Sequence, residues 1–195
     1  NVVGIDYSDS LLSRAIQNSQ RKGINNIEYC SADVTSLDAA AFAKIKRFDA
    51  AISIRCLINF PSWEMQSLAF SKISSMLNPG AIFILSEGWQ EGWEGLNLER
   101  QRCGLSPITI ADYNRLIARK DFESLFRSEF DLVSYHSLGL YIFMSRVVQP
   151  FLVAPNQPRH DHELNRVGAE LQMRLCLLGK LEHLDYAGLY VLRKK

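Results

Sequence analysis

The sequence is poor in cysteine, and no long apolar run crosses it. Its four cysteines are far apart and form no Cys-x-x-Cys pair, a spacing that argues against a zinc site or a disulfide framework and suits a reducing cytosol. The longest mostly apolar stretch, residues 138–152, is broken by Arg146 and Pro150 and is too short to span a bilayer. No signal peptide is visible. We therefore expect a cytoplasmic protein with no metal site and no membrane span.

The sequence also lacks an excess of either charge. Its 22 basic and 21 acidic side chains nearly cancel, so it has neither the basic footprint of a nucleic-acid-binding protein nor an acidic tail typical of disorder. With 47% hydrophobic residues over 195 positions, the chain has the composition of a globular protein and the length of one domain. We predict a single domain over residues 1–195, with no nucleic acid among its partners.

Short β-rich runs alternate with amphipathic helical patterns in the first half of the sequence. Strands are predicted at residues 2–5, 27–30, 48–54 and 81–85, because such apolar runs are typical of strands buried on both faces. Helices are predicted after Ser8, at about 39–45, and from Pro61 to the turn Asn78-Pro79-Gly80. This order predicts an α/β fold: a doubly wound, mostly parallel, Rossmann-like sheet with helices on both faces.

The second half has a different pattern. Two helices are predicted between Glu91 and Phe126, and a strand, a helix and a last strand follow at 130–135, about 164–181 and 186–193. The apolar stretch 138–152 is interpreted as a buried strand and helix, with a lipid-like pocket as the alternative.

Acidic residues follow the first two predicted strands. Asp6-Tyr7 comes directly after the first strand, and Asp33-Val34 follows the second. Ligands of an open parallel sheet bind at the carboxyl ends of its strands, where one carboxylate can accept the hydroxyl hydrogens of a ribose and another an exocyclic adenine amine. A single acid at such a point is more often a helix cap or a turn residue. Two acids in this register favour a nucleotide-like ligand.

Four motifs in this order resemble those of the class I S-adenosylmethionine-dependent methyltransferases. They are Val3-Gly4-Ile5-Asp6-Tyr7-Ser8, Ile27-Glu28-Tyr29-Cys30-Ser31-Ala32-Asp33-Val34, Phe48-Asp49-Ala50-Ala51-Ile52-Ser53 and Leu77-Asn78-Pro79-Gly80-Ala81-Ile82-Phe83. The segment Tyr186-Ala187-Gly188-Leu189-Tyr190-Val191 resembles the antiparallel last strand of that family. The likeness is close over about the first 90 residues and looser over the rest.

The resemblance implies a cofactor site and a reaction. It assigns the ribose of S-adenosylmethionine to Asp6 and Tyr7, and the adenine to Asp33 and Val34. It assigns the methionine end to Ser53, Ile54 and Arg55. It implies methyl transfer to an oxygen or nitrogen of a small-molecule acceptor, with S-adenosylhomocysteine as product; a sugar-linked or lipid-linked acceptor is one hypothesis. Because the sulfonium is already an activated electrophile, the protein need only align the acceptor and manage its proton.

The sequence departs from the family at its start. It begins after the point where the family has its first strand and a Gly-x-Gly-x-Gly loop. We expect residues 1–195 to be a methyltransferase domain lacking that strand and loop, with residues 88–128 and 137–182 as variable acceptor-site or lid segments. Two alternatives stay open: a non-catalytic methyltransferase-like scaffold, and an NAD-dependent Rossmann oxidoreductase, which the Asp33 motif fits poorly.

Three residues are candidates for catalytic work on the acceptor. Arg55 follows the third strand, Glu87 follows the fourth, and His136 comes directly after the fifth and carries an imidazole that titrates near working pH. The alternative interpretations are a salt bridge at the sheet rim for Arg55, a turn cap for Glu87 and a structural histidine for His136. Tyr113 and Asn114 lie in the variable segment and are candidates for the acceptor site.

Overall fold

The predicted alternation of strands and helices is present in the structure, a computed structural model that describes residues 2–37, 47–175 and 179–195. The strands are β1 (Val2–Asp6), β2 (Ile27–Ser31), β3 (Phe48–Ile54), β4 (Leu77–Ser86), β5 (Phe130–His136) and β6 (Leu189–Lys194). The helices are α1 (Asp9–Arg21), α2 (Trp63–Ser75), α3 (Gln90–Arg102), α4 (Arg119–Phe126), α5 (Gly139–Phe143), α6 (Gln149–Val153) and α7 (Glu163–Arg174). The helix predicted at about 39–45 lies outside the described residues.

Serine caps begin the first two helices. The Ser8 hydroxyl accepts a hydrogen bond from the backbone N–H of Leu11 at 3.4 Å, and the Ser62 hydroxyl accepts one from Met65 at 3.3 Å. Each hydroxyl satisfies one of the N–H groups that the first turn of a helix leaves unpaired. The start of α2 just after Pro61 confirms the boundary expected from the sequence.

The sheet is mostly parallel with an antiparallel last strand, as predicted. β1 pairs with β2 and β3 pairs with β4, both in parallel, whereas β6 lies antiparallel between β4 and β5. The strands form two sheets, one of order β1-β2 and one of order β3-β4-β6-β5. The α/β class and the strand directions are therefore confirmed.

The division of the sheet leaves apolar residues uncovered on β1 and β3. Among the described residues, β1 pairs with β2 alone and β3 pairs with β4 alone. Ile52 and Ile54 of β3 are 70% and 66% exposed, and Val2 of β1 is 51% exposed. Ile52 and Ile54 share one face of the strand because side chains alternate along it. Unpaired strand edges with exposed isoleucines are otherwise avoided in folded proteins.

The opposite face of the larger sheet carries the main core. Phe83 on β4 and Phe130 on β5 pack against Phe70 of α2, with ring centroids 5.8 and 5.5 Å from that of Phe70. Phe122 of α4 lies 5.2 Å from Tyr190 of β6. All five rings are at most 2% exposed. This aromatic layer fixes the sheet and thereby the position of the loops at its carboxyl edge.

The turn Asn78-Pro79-Gly80 forms a bulge within β4 rather than a separate end to the preceding helix. Phe48 pairs with Leu77, but two residues later Ala50 already pairs with Ile82. Gly80 has φ +83, a conformation that favours glycine, and proline is tolerated at a bulge because no ladder hydrogen bond is needed there. The fourth strand therefore begins earlier than the predicted residues 81–85.

Residues 139–153 are helical, which corrects the expectation of a strand and helix in this stretch. A π-helical turn, Met144–Val148, joins α5 to α6 just before Pro150. Proline has no N–H to donate to the carbonyl of Arg146 four residues earlier, and the guanidinium of Arg100 donates to that carbonyl instead. The helix predicted at about 164–181 ends at Arg174.

None of the helices in residues 2–37, 47–175 and 179–195 combines the length and the apolar character that a membrane crossing needs.

Candidate functional site

Two acids and one thiol lie at or just after the carboxyl ends of β1, β2 and β3. Asp6 is the last residue of β1, Asp33 follows β2 by two residues, and Cys56 follows β3 by two. Burial, and after it the negative charges of Glu87, Asp6 and Asp33, raise the pKa of the Cys56 thiol to about 11. Asp6 pairs with Ser31 at the parallel ends of β1 and β2, so the structure places the two acids at the same edge, and their charges act on the Cys56 thiol in the loop after β3.

Asp6 uses one of its two carboxylate oxygens within its own loop. Its Oδ1 accepts a hydrogen bond of 2.8 Å from the backbone N–H of Ser8, which itself caps α1. Within the described part of the chain, Oδ2 has no hydrogen-bond partner. The next side chain, Tyr7, is 77% exposed. A half-buried carboxylate oriented in this way can accept hydrogen bonds from a ligand.

Asp33 likewise uses one of its two carboxylate oxygens within its own loop. Its Oδ1 accepts hydrogen bonds of 2.8 Å from both the backbone N–H and the hydroxyl of Thr35, and so caps the 3-10 turn Val34–Ser36. Val34 is partly buried and packs against the main core. The turn-cap interpretation thus accounts for one oxygen, while no hydrogen bond to Oδ2 is found among the described residues.

Arg55 occupies a strained position at the start of the loop after β3. Its φ is 53°, in the left-handed region that costs a non-glycine residue about 1–2 kcal/mol. Its guanidinium donates a hydrogen bond of 3.0 Å to the Tyr186 hydroxyl and lies 5.8 Å from the centre of that ring. The two residues before Arg55 differ in access, since Ser53 is 8% and Ile54 is 66% exposed. Strained residues of this kind cluster at functional sites.

Glu87, a candidate for catalytic work on the acceptor, lies inside the protein rather than at its surface. Its side chain is fully buried. Oε1 accepts hydrogen bonds from the backbone N–H groups of Cys56 and Leu57, both at 3.0 Å, and Oε2 accepts one from Ile58 at 3.2 Å. The Ser53 hydroxyl adds a hydrogen bond of 3.3 Å to Oε1. Burial raises the pKa of this carboxyl to about 7, although the hydrogen bonds act to lower it.

His136 is at the correct edge of the sheet but far from the two acids. It pairs with Leu189 of β6, and Leu189 pairs with Ser86 of β4, which in turn pairs with Ile54. Three strand spacings of about 4.8 Å put His136 about 14 Å from the end of β3. The imidazole is exposed and shares a hydrogen bond of 2.9 Å with the Ser134 hydroxyl. The structure does not bring His136 together with Asp6, Asp33 and Arg55.

A cavity of about 410 Å³ adjoins the loop after β3. It is lined by Asn59, Pro61, Asp112, Tyr113, Asn114 and Arg115. The backbone N–H of Arg115 donates a hydrogen bond of 2.7 Å to the carbonyl of Ile58, which ties the cavity wall to the loop that Glu87 holds. Tyr113 and Asn114, the acceptor-site candidates, are thus placed beside the site.

Several residues of this region were not predicted from the sequence to belong to the site. Tyr186 contacts Arg55, which lies 131 positions earlier in the sequence. Asp112 and Arg115 line the cavity because the loop between α3 and α4 passes beside it. Cys56 was not among the predicted site residues. None of these residue types is rare at a surface, so only their placement distinguishes them.

Comparison with known proteins identifies a family and a fold. Residues 1–135 match the family described as "Methyltransferase domain". No curated protein gives a significant match to the sequence.

Three solved structures have a similar fold. A protein from Pyrococcus horikoshii OT3 has a TM-score of 0.60 and 16% identity, with 100% of this chain covering 72% of that one. Magnesium protoporphyrin IX methyltransferase (ChlM) from Synechocystis PCC 6803, with bound S-adenosylhomocysteine, has a TM-score of 0.57 and 15% identity, covering 99% of this chain and 64% of that one. The N-methyltransferase NodS from Bradyrhizobium japonicum WM9, also with S-adenosylhomocysteine, has a TM-score of 0.52 and 12% identity over 98% of this chain. This chain spans 65% of the length of NodS.

Proposed function

The chain belongs to the methyltransferase domain family, and from this membership we propose that its carboxyl-edge site binds S-adenosylmethionine and supports methyl transfer to a small-molecule acceptor. The observation that carries the proposal is the pair of carboxylates at the ends of β1 and β2. Asp6 and Asp33 each use one oxygen for a local turn and leave Oδ2 without a partner among the described residues. NodS and ChlM, which share the fold, were crystallised with S-adenosylhomocysteine.

Each part of the site has a proposed role in holding the cofactor. Asp6 Oδ2 accepts the ribose hydroxyls, with Tyr7 beside it, because a carboxylate can accept two hydrogen bonds from adjacent hydroxyls. Asp33 accepts the adenine amine, and the backbone N–H of Val34 faces a ring nitrogen. The segment Ser53-Ile54-Arg55 borders the methionine end. These contacts orient the cofactor, which when bound supplies an activated methyl group.

The acceptor is proposed to lie in the cavity next to Asn59. Its volume of about 410 Å³ is in the range of small-molecule pockets. Tyr113 and Asn114 belong to the segment 88–128, and they bring polar groups to an oxygen or nitrogen acceptor. Alignment of the acceptor with the methyl group is the main catalytic requirement. Residues 137–182 form the second proposed acceptor-site or lid segment, and a sugar-linked or lipid-linked acceptor is a finer hypothesis within this proposal.

The three catalytic candidates take different proposed roles. Arg55 stays a candidate for contact with the cofactor carboxylate or the acceptor, because it begins the loop that borders the methionine end. Glu87, buried under the same loop, is better suited to holding it than to taking a proton from an acceptor. His136, three strands from the end of β3, serves as a base only for an acceptor long enough to reach it.

A further strand is proposed to fit between β1 and β3. Among the described strands β1 pairs only with β2 and β3 only with β4, and Val2, Ile52 and Ile54 are exposed. A parallel strand preceding residue 1 in the natural polypeptide, followed by a glycine-rich turn, would pair with both edges and join the two sheets. Without that strand the domain would be a non-catalytic scaffold, which is the second candidate function.

Isothermal titration with S-adenosylhomocysteine and with NAD tests this proposal. The natural full-length polypeptide is expected to bind S-adenosylhomocysteine and not NAD, and the 195-residue chain to bind it more weakly. Failure of the full-length protein to bind S-adenosylhomocysteine would favour the scaffold. Binding of NAD alone would favour an oxidoreductase.

A further inference from the structure

We infer that Glu87 is a positioning residue: it holds the loop of residues 55–58 in the shape that the methionine end of the cofactor requires. This inference rests on the proposed function. Glu87 follows β4 directly. It accepts hydrogen bonds from three backbone N–H groups of the loop after β3, which lie 29 to 31 residues earlier in the sequence. Glu87 therefore acts on the cofactor indirectly, through the position of that loop.

The carboxylate of Glu87 acts as the cap of the 3-10 turn Leu57–Asn59. The residue at the cap position of this turn is Cys56, whose own side chain makes no capping hydrogen bond. The N–H groups that such a turn leaves unpaired must be satisfied by another group. Glu87 accepts hydrogen bonds from three of them, those of Cys56, Leu57 and Ile58, at 3.0 to 3.2 Å.

The loop is held from its carbonyl side as well. The side-chain amide of Asn59 donates a hydrogen bond of 2.6 Å to the carbonyl of Arg55 and one of 3.3 Å to that of Cys56. Arg55, with φ 53°, therefore lies between two anchors, Glu87 on the N–H side and Asn59 on the carbonyl side. A strained backbone persists only where the surroundings determine it in this way.

The choice of a carboxylate points to more than packing. A fully buried anion is costly, and an apolar residue on β4 with a serine or asparagine at the turn itself would cap the turn at lower cost. Glu87 instead joins two strand ends, β3 and β4, next to Ile54 and Arg55, which the proposed function places at the methionine end of the cofactor. The hydrogen bonds therefore tie the loop to the exit of β4.

The inference predicts a selective loss of affinity. In Glu87→Gln, the amide group of glutamine faces backbone N–H donors, so the loop loses part of its anchor while the ends of β1 and β2 are unchanged. In the natural full-length protein, the affinity for S-adenosylhomocysteine is expected to fall about tenfold, the effect of leaving one buried donor unsatisfied. The affinity for adenosine, which has no methionine end and is held by Asp6 and Asp33, is expected to change less than about twofold.

The experiment is isothermal titration of both ligands into wild type, Glu87→Gln and Asp131→Asn. Asp131 is an exposed aspartate on β5, outside both proposed acceptor-site segments, so the carboxylate-to-amide change there controls for charge. Equal losses for S-adenosylhomocysteine and adenosine, or no loss for either, would overturn the positioning role. If Glu87→Gln does not fold, Glu87→Asp, which keeps the charge and shortens its reach, must show the same selective loss. If the wild type binds neither ligand, the proposed function fails first, and the inference fails with it.

Discussion

The hydroxyl of Tyr135 donates a hydrogen bond of 2.6 Å to Oδ2 of Asp185, a carboxylate with no solvent exposure. Oδ1 of Asp185 accepts a second hydrogen bond from the backbone N–H of Leu138 at 3.0 Å. The guanidinium of Arg119 donates to the Asp185 carbonyl at 2.7 Å and lies 4.8 Å from the centre of the Tyr135 ring. Burial, followed by the charge of Asp185, moves the pKa of Tyr135 well above its usual range. The network joins β5, α4 and the segment that carries Tyr186, the partner of Arg55.

Removal of the Tyr135 hydroxyl should destabilise the fold. Tyr135→Phe leaves a buried carboxylate oxygen without its shortest hydrogen bond, which costs about 1–3 kcal/mol of unfolding free energy. Urea unfolding measures the loss. Tyr141→Phe is the control, because the Tyr141 hydroxyl makes no hydrogen bond with the described residues. Equal effects of the two substitutions would contradict the assigned role of Asp185.

Gly188 should not tolerate a side chain. A Cβ at this position would overlap the Tyr135 hydroxyl and Oδ2 of Asp185, and overpacking against a hydrogen-bonded pair is expected to cost about 3 kcal/mol. Gly80→Ala provides the comparison. Gly80 has φ +83 and open space around it, so alanine there costs only the left-handed penalty of about 1–2 kcal/mol. A smaller loss for Gly188→Ala than for Gly80→Ala, in urea or thermal unfolding, would show that the contact around Asp185 is loose.

Glu87 should make stability depend on pH. Burial raises its pKa in the folded state from the usual 4.5 to about 7, so the folded protein holds the proton more tightly than the unfolded chain. Stability is therefore lost as pH rises from 4.5 to about 7, by about 3 kcal/mol over the whole window. Glu87→Gln lacks this dependence. Unfolding free energies of the two proteins, compared between pH 4 and pH 8, should diverge by that amount; parallel curves would contradict burial of the carboxyl group.

Two substitutions of Arg55 should separate the stability cost of its left-handed backbone from the contribution of its side chain. Arg55→Gly and Arg55→Ala both lose the hydrogen bond to Tyr186, but only alanine keeps the steric cost of φ 53°. The glycine variant is expected to be more stable than the alanine variant by about 1 kcal/mol. Thermal unfolding compares them. The opposite order would mean that this loop relaxes out of the left-handed region.

Much of the fold followed from local patterns, because buried parallel strands and serine-capped helices leave clear signals. β3 was predicted at its observed bounds, and Asp6 and Asp33 became candidates for the site because carboxyl ends of parallel strands meet at one edge. The role of Glu87 left no such signal, since its partners are backbone N–H groups of another loop. The distance of His136 from the site depends on β6 lying between β4 and β5, which the order of the chain does not reveal. The bulge at Gly80 was missed because a proline and a glycine after a helix are typical of a plain helix end.

The most direct test of the account is titration of S-adenosylhomocysteine into the full-length protein and its Asp6→Asn and Asp33→Asn variants. Each substitution halves the acceptor capacity that the carboxylate offers to the ligand, so each should weaken binding by about tenfold or more. Asp131→Asn, at an exposed position on β5, should bind as the wild type does. Binding of S-adenosylhomocysteine with unchanged affinity in both site variants would show that the ends of β1 and β2 do not hold the cofactor.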